Sequence, residues 1–291
     1  MFWQQLINGI ALGSTYALIA LGYTMVYGII QLINFAHGEI YMVGAFAALV
    51  LVTVFKMSIF LAMVLAMVVC LLLGVIIEFV AYRPLRRSSR LSALISAIGV
   101  STFLSTLVLL IFGADAKGFP DDVFPVVQMR IGAAEVSSLQ LLIIGVSALL
   151  MLGLEFIVHH TKIGKAMRAT SQDYTTAALM GVNVNLVISF TFALGSALAA
   201  AGGVLVGIYF NAVSFNMGLM AGLKAFAAAV LGGIGSIPGA MLGGVVLGVV
   251  EVLGVAAGYS SYKDAIAFAI LVAVLMIKPT GLLGQKIQKK V

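Results

Sequence analysis

From His159 to Gly181 the chain reads HHTKIGKAMRATSQDYTTAALMG, the most polar long interval of a sequence that is otherwise nearly all hydrocarbon. It separates two apolar runs and carries Lys162, Lys165 and Arg168. On a helix from about Lys165 to Leu179, Met167, Tyr174 and Ala178 fall on one side, and Lys165, Arg168, Gln172 and Thr176 on the other. The spacing predicts a short amphipathic helix lying along a membrane surface, with Gly164 and Gly181 as the breaks at its ends.

The rest of the composition says why a membrane is needed. With 63% hydrophobic and 9% charged residues over 291 and a mean hydropathy of +1.19, a water-soluble fold could not hide the apolar surface. The apolar runs lack the two-residue alternation of an outer-membrane strand, so helices are expected and not a barrel. We expect an all-α, polytopic transmembrane bundle forming a single domain over residues 1–291. Cys70 is the only cysteine, which excludes an intrachain disulfide and a thiolate metal site. The net charge of +6 would suggest nucleic acid for a soluble protein; here it reports basic loops held on the cytoplasmic side, and no nucleic-acid partner is expected. The segment after Met1 lacks a basic n-region, and Phe2 and Trp3 look like interface anchors of a retained first helix.

Apolar runs at Leu6–Ile30, Ile40–Val54 and Ile59–Ala81 lead into YRPLRRSSR, where Arg83, Arg86, Arg87 and Arg90 give the strongest orientation signal, a cytoplasmic one. Leu94–Phe112 crosses to a loop at about 113–137 whose Asp115, Asp121, Asp122 and Glu135 outweigh Lys117 and Arg130, as suits the outer side. Leu139–Val158 returns and delivers the interval of about 159–181 to the cytoplasm, so two basic loops agree. Leu186–Phe210 goes out again, and Asn211–Gly222 lies outside or partly in the bilayer. The following segment, KAFAAAVLGGIGSIPGAMLGGVVLGVVE, is dense in Gly232, Gly233, Gly235, Pro238, Gly239, Gly243, Gly244 and Gly248. Glycine and proline at this density break helices, and small residues let helices approach closely. A short helix ending near Leu231, a tight turn and a helix from about Ala240 to Val255 are expected. A last span, Ala265–Ile277, precedes Lys278, Lys286, Lys289 and Lys290, which place the C-terminus in the cytoplasm. The charges are compatible with about eight or nine crossings, depending on whether Leu219–Leu231 spans fully.

Polar residues at membrane depth are the informative ones, since an unsatisfied group there costs several kcal/mol as an order of magnitude. Asn34, His37 and Glu39 form the main cluster. They fit either a broken helix whose freed backbone and side chains line a substrate path, or a short cytoplasmic turn with Glu39 in the first turn of the next helix. Glu78 and Glu155 lie near cytoplasmic helix ends, within reach of water or arginines. Lys224 and Glu251 lie deeper and suit packing or an internal ion pair. His159 and His160 are adjacent, about 100° apart on a helix, and make poor joint metal ligands. No GxxxxGK[ST] loop, HExxH or cysteine cluster is present. Energy for uphill transport must then come from an ion gradient, with a carboxylate such as Glu39 or Glu251 as proton site, or from another subunit.

INFAHGEIYMVGAFAA at Ile33–Ala48, TKIGKAMRATSQDYTTAALMGVNV at Thr161–Val184 and the Gly-rich stretch Lys224–Glu251 together closely resemble the permease subunits of branched-chain amino-acid ABC importers, the high-affinity leucine/isoleucine/valine type. The similarity runs through essentially the whole length in matching order. It implies a membrane subunit, not an enzyme, in a bacterial inner membrane. Its partners would be a homologous second permease, two ATP-binding subunits that hold the ATP, and a periplasmic amino-acid binding protein. This chain would bind no cofactor of its own. The loop around Gly164, Lys165, Arg168, Ala169, Asp173 and Gly181 would be the coupling helix that sits in a cleft of the ATPase. Asn34, His37, Glu39, Gly232, Gly233 and Gly239 are the candidates for the substrate path. Related permeases carry urea or short amides, and a proton-coupled secondary transporter is the other alternative.

Overall fold

The structure is a computed structural model that describes residues 2–86, 88–120, 122–131 and 134–284. Of the charges used above, Arg87, Asp121, Lys286, Lys289 and Lys290 lie outside the described residues. The helices are α1 (Phe2–Ile30), α2 (His37–Thr53), α3 (Ile59–Ile77), α4 (Arg90–Phe112), α5 (Ser138–His160), α6 (Lys162–Gln172), α7 (Tyr174–Leu179), α8 (Val184–Tyr209), α9 (Met217–Gly232), α10 (Ile237–Ala256) and α11 (Lys263–Ile277). A π-helical turn, Glu78–Tyr82, continues α3, and an antiparallel hairpin, β1 (Gln128–Ile131) and β2 (Ala134–Ser137), precedes α5. Among the described residues seven helices are long and apolar enough to cross a membrane, while α2 and α9 are apolar but shorter. Together they meet the expected number, and the segment whose crossing depended on length, α9, is one of the two short ones.

Two helices make the centre. In their most apolar windows, 89% of α1 and 83% of α8 are buried, against 17% of α4 and 6% around α11. The reason is side-chain size: α1 and α8 present Gly9, Gly13, Ser14, Gly22, Gly195, Ser196 and Ala199 to Gly203, over which neighbouring backbones close in. The outer helices instead turn Leu110, Leu149, Leu152 and Met276 outward, where hydrocarbon accepts them.

The Gly-rich segment shows which of glycine's two uses applies. α10 runs unbroken through Gly239, Gly243, Gly244 and Gly248, so these glycines do not interrupt it. Pro238 sits in its first turn, where a missing N–H leaves nothing unpaired, and Ser236 accepts a hydrogen bond from the Gly239 N–H at 3.2 Å. A Cβ on Gly248 would overlap the backbone of Gly13, and one on Gly13 the backbone of Gly244 and Val245. Small residues spaced by four on both helices thus form the α1–α10 seam. Gly248→Leu is expected to cost about 1–3 kcal/mol or more through overpacking and to lower the unfolding temperature in a detergent thermostability assay. Gly99→Leu, on α4 with nothing within 4 Å, should leave it unchanged.

The ends of the helices define two rims. On one, the Glu135 N–H donates to Gln4 Oε1 at 2.7 Å, the Phe119 N–H donates to Asn211 Oδ1 at 2.7 Å, and Lys117 pairs with Val213. The start of α1, the hairpin and the end of α8 therefore share this rim. The opposite rim gathers Arg83, Arg86, α6, α7 and, through the Leu282 and Leu283 N–H donors to Leu231 and Gly232, the chain after α11. The basic intervals that set the expected orientation share this second rim.

The expected single helix from about Lys165 to Leu179 is two. α6 begins earlier, at Lys162, with Thr161 Oγ1 accepting from the Gly164 N–H at 3.1 Å. At Asp173 the backbone is extended (φ −154°, ψ 107°), and its carboxylate accepts from the Thr175 and Thr176 N–H groups at 2.8 and 2.9 Å, starting α7. An aspartate competes with helix continuation by capping the next helix. The restart shifts the phase: Met167 is buried as expected, but Ala177 is buried in place of Ala178, and Tyr174 is exposed. Gly181 ends the unit at φ +83°, as its type suggests. Gly164 is no break; it lies inside α6, where a Cβ would overlap the Ile157 and Val158 carbonyls, so it lets α6 fold back against the end of α5.

Candidate functional site

α1 stops at Ile30 with Gln31 in the left-handed region (φ 52°). The chain then turns inward, and α2 begins inside the protein. Asn34 Oδ1 accepts from the Ala36 N–H at 3.1 Å and from the Tyr82 hydroxyl at 3.0 Å, which holds the turn. Asn34, His37 and Glu39 are only 2–3% exposed, so the interval is no surface loop. The His37 ring stands edge-on to Tyr23, centroids 4.9 Å apart, and fills the space over Gly22 that any side chain there would occupy.

Glu39 lies where two helices begin. Gly38 packs against Gly218 and Gly222 of α9, so the N-termini of α2 and α9 meet and the helices diverge from the meeting point toward opposite rims. Neither N-terminus has a side-chain cap. Glu39 Oε1 accepts from Ser101 Oγ of α4 at 3.2 Å, while Oε2 faces Gly218. A carboxylate between two positive helix ends is favourably placed. Among the described residues Thr24 Oγ1, Asn34 Nδ2, His37 Nε2 and Glu39 Oε2 are buried without a hydrogen-bond partner. The three from Asn34, His37 and Glu39 belong to this turn and junction and give it unspent capacity to bind a polar molecule.

The other expected path residues lie elsewhere. Gly232 and Gly239 pack on each other at the α9–α10 turn, and Gly233 (φ +108°) packs against Gly281 and Gly284. They form the basic-rim end of the bundle, not a common site with Asn34, His37 and Glu39. A bulky residue at Gly233 or Gly239 would therefore disturb this chain's own turn.

A separate ion cluster ties α9 to α10, α11 and α1. Lys224 Nζ of α9 is 2.7 Å from Glu251 Oε1 of α10 and 2.6 Å from Asp264 Oδ1 of α11, and the Tyr16 hydroxyl of α1 donates to Glu251 Oε2 at 3.1 Å. Lys224 and Glu251 are 5% and 4% exposed. The internal ion pair suggested by sequence is present; Tyr16 and Asp264 had no signal marking them as its members.

At the basic rim Glu78, fully buried at the π-helical turn, accepts from Arg83, from Arg86 and from Ser189 Oγ, the last at 2.6 Å. Arg86 also donates to Asn185 Oδ1 at 2.6 Å. Burial lowers the Arg86 guanidinium from its ordinary range against the raising effect of Glu78. The neighbouring arginines foreseen for Glu78 are thus its partners, whereas Ser189 and Asn185, ordinary helix residues in the sequence, were not visible as such. Glu155 pairs with His159, 3.1 Å away.

Above this cluster α6 and α7 lie at the rim. Gly164, Met167 and Thr170 face inward, Arg168 donates to the Val158 carbonyl at the end of α5, and Lys165, Ala169, Tyr174, Leu179 and Met180 are exposed. Leu179 and Met180, 83% and 80% exposed, present apolar surface away from the bundle. The arrangement is a rigid, capped, two-helix unit clamped to α5 at one side with a free outer face.

Known proteins share this sequence throughout. The family described as branched-chain amino acid transport system / permease component matches residues 5–275. The high-affinity branched-chain amino acid transport system permease protein BraD of Pseudomonas aeruginosa is 46% identical, over 100% of this chain and 98% of its own length. LivH of Escherichia coli, named as the same kind of permease protein, is 45% identical over the same shares. A probable branched-chain amino acid transport permease protein of Methanocaldococcus jannaschii is 28% identical, over 92% of this chain and 88% of its own. Among solved structures, PsaBC from Streptococcus pneumoniae in complex with Fab aligns with a TM-score of 0.53 at 16% identity, covering 96% of this chain and 92% of that one. At that identity the likeness concerns the fold.

Proposed function

This chain belongs to the family of branched-chain amino-acid transport system permease components, and from that premise we propose that it forms one half of the membrane path of an ATP-driven, binding-protein-dependent importer of leucine, isoleucine and valine. It is the membrane subunit of the system and a transport protein. ATP is bound and hydrolysed on two partner subunits, a homologous permease completes the path, and a periplasmic binding protein delivers the amino acid. The basic rim faces the cytoplasm of a bacterial inner membrane, together with the C-terminus, in keeping with the positive charge of that rim.

The observation that carries this reading is the α6–α7 unit. It is anchored from below by Gly164 and Arg168 and capped at Thr161 and Asp173, so a force on its outer face reaches α5 as a rigid displacement. Lys165 and Ala169, with the apolar side chains that follow on α7, supply the surface that docks on the ATPase. The α1–α2 junction supports the path. A branched-chain amino acid is a zwitterion with an aliphatic tail, and Asn34, His37 and Glu39 offer an unpaired amide donor, an imidazole nitrogen and a carboxyl oxygen within apolar walls. In this conformation the junction is closed by the contacts of Gly38 with Gly218 and Gly222, which makes those backbone contacts the gate. Gly232, Gly233 and Gly239 shape the end of the bundle and do not touch cargo.

Reconstitution with the two ATP-binding subunits, the partner permease and the binding protein should give uptake of labelled leucine that requires ATP. Uptake that persists without ATP and collapses with the proton gradient would overturn the ATP-driven reading; uptake of urea but not leucine would overturn the substrate.

A further inference from the structure

A cleft of about 410 Å³ lies on the basic rim between the end of α1 and the α6–α7 unit. That volume is in the range of small-molecule sites. Its lining divides by chemistry. Ile29, Ile30 and Leu32 of the α1 end and Ile188 of α8 give an aliphatic wall, and Arg86 with the Thr170–Gln172 stretch of α6 gives a polar one.

Arg86 is the charged anchor. Its side chain is 10% exposed, with Nη1 donating to Asn185 and Nη2 to Glu78. A guanidinium has five N–H donors, and these bonds use one on each Nη, leaving others on the same nitrogens. Arg83 and Arg86 share the single carboxylate of Glu78, so the cluster has one positive charge in excess and attracts an anion. The opposite wall has the opposite polarity. α1 ends at Ile30, and the last carbonyls of a helix have no following turn to bond and carry the negative end of its dipole. That end suits an ammonium group.

A carboxylate site, a cation site and an aliphatic wall within one cleft describe an α-amino acid with a branched hydrocarbon side chain. We propose that this cleft binds a free aliphatic amino acid from the cytoplasm and thereby slows the importer. The inference rests on the docking role given above to α6–α7. α6 packs against α1 beside the cleft, and both line it, so a ligand seated there bears on how the unit sits against α1. A ligand that binds one arrangement better than another holds the protein there. Imported cargo would then restrain its own entry.

The test uses the complete permease–ATPase complex in nanodiscs. Equilibrium dialysis without the binding protein measures labelled leucine bound to wild type, to Arg86→Lys, which keeps the charge beside Glu78 but loses the forked donors, and to Leu32→Trp, which fills the cleft. ATP turnover stimulated by loaded binding protein is then measured with and without excess free leucine or glycine. Saturable leucine binding, weakened about ten-fold or more in both variants, a loss of at least 1.4 kcal/mol, is expected. Turnover of wild type should fall several-fold with leucine but not with glycine, and the variants should not respond. Absence of leucine binding to wild type, or binding and slowing that persist in both variants, overturns the proposal. Failure of the loaded binding protein to stimulate turnover would instead count against the docking reading, while the dialysis still decides the cleft.

Discussion

Arg168→Glu should reduce ATP-dependent leucine uptake about ten-fold or more in reconstituted vesicles while the chain still inserts and co-purifies with its partners. Arg168 lies on α6 and donates to the Val158 carbonyl at the C-terminal end of α5. A hydrogen bond from a charged donor contributes about 1.5–3 kcal/mol, and a cation is favoured at a helix C-terminus. Reversing the charge removes the clamp and sets a carboxylate against carbonyl oxygens, so α6 comes loose from α5, the helix that the proposed coupling moves. Insertion is set by the hydrophobic spans and not by this contact. ATP hydrolysis should continue without uptake, and it is that split which marks a coupling defect. Wild-type uptake in the variant would remove α6 from the mechanism.

Lys224→Met should remove most of the folded protein from the membrane. The substitution leaves Glu251, 4% exposed, with Tyr16 as its remaining polar neighbour, and breaking a buried pair from one side costs about 3–5 kcal/mol. That is a large part of the stability of an ordinary domain. Asp264 also loses its partner, but its side chain is 39% exposed and can be hydrated, so Glu251 dominates the loss. The double variant Lys224→Met, Glu251→Met replaces the pair by hydrocarbon and should recover much of the abundance and of the unfolding temperature. Both are read by fluorescence-detected size-exclusion chromatography after heating. A single variant as stable as wild type would show that the cluster contributes nothing to holding α9 and α10 together.

What the sequence disclosed was what repeats or accumulates along it. Uninterrupted apolar runs located the spans, because length and hydropathy are local properties; α5, expected at Leu139–Val158, is Ser138–His160, and α8, expected at Leu186–Phe210, is Val184–Tyr209. The amphipathic interval and the Lys224–Glu251 pair were legible for the same reason, charge being conspicuous against hydrocarbon. Three things were not. A helix of the right composition hid the break at Asp173, since a capping aspartate and a solvated one look alike until the backbone is seen. The helix through the Gly-rich segment was expected, but its partner was not visible, because a one-dimensional count cannot show that Gly248 faces Gly13 of α1. The companions of the polar residues, Tyr16, Ser101, Asn185, Ser189 and Asp264, come from helices remote in sequence and carry no pattern of their own.

The meeting of α2 and α9 also bears on leakage. A helix start carries roughly half a positive charge, so two of them approximately cancel the carboxylate of Glu39 between them. The spot is electrically balanced, with separated plus and minus poles but little net charge to draw in a bare ion. A dipolar molecule matches those poles, whereas a sodium ion would gain little in exchange for its hydration shell. On the proposed reading of this junction as the path, cargo without net charge passes it and leaves the transmembrane voltage unchanged.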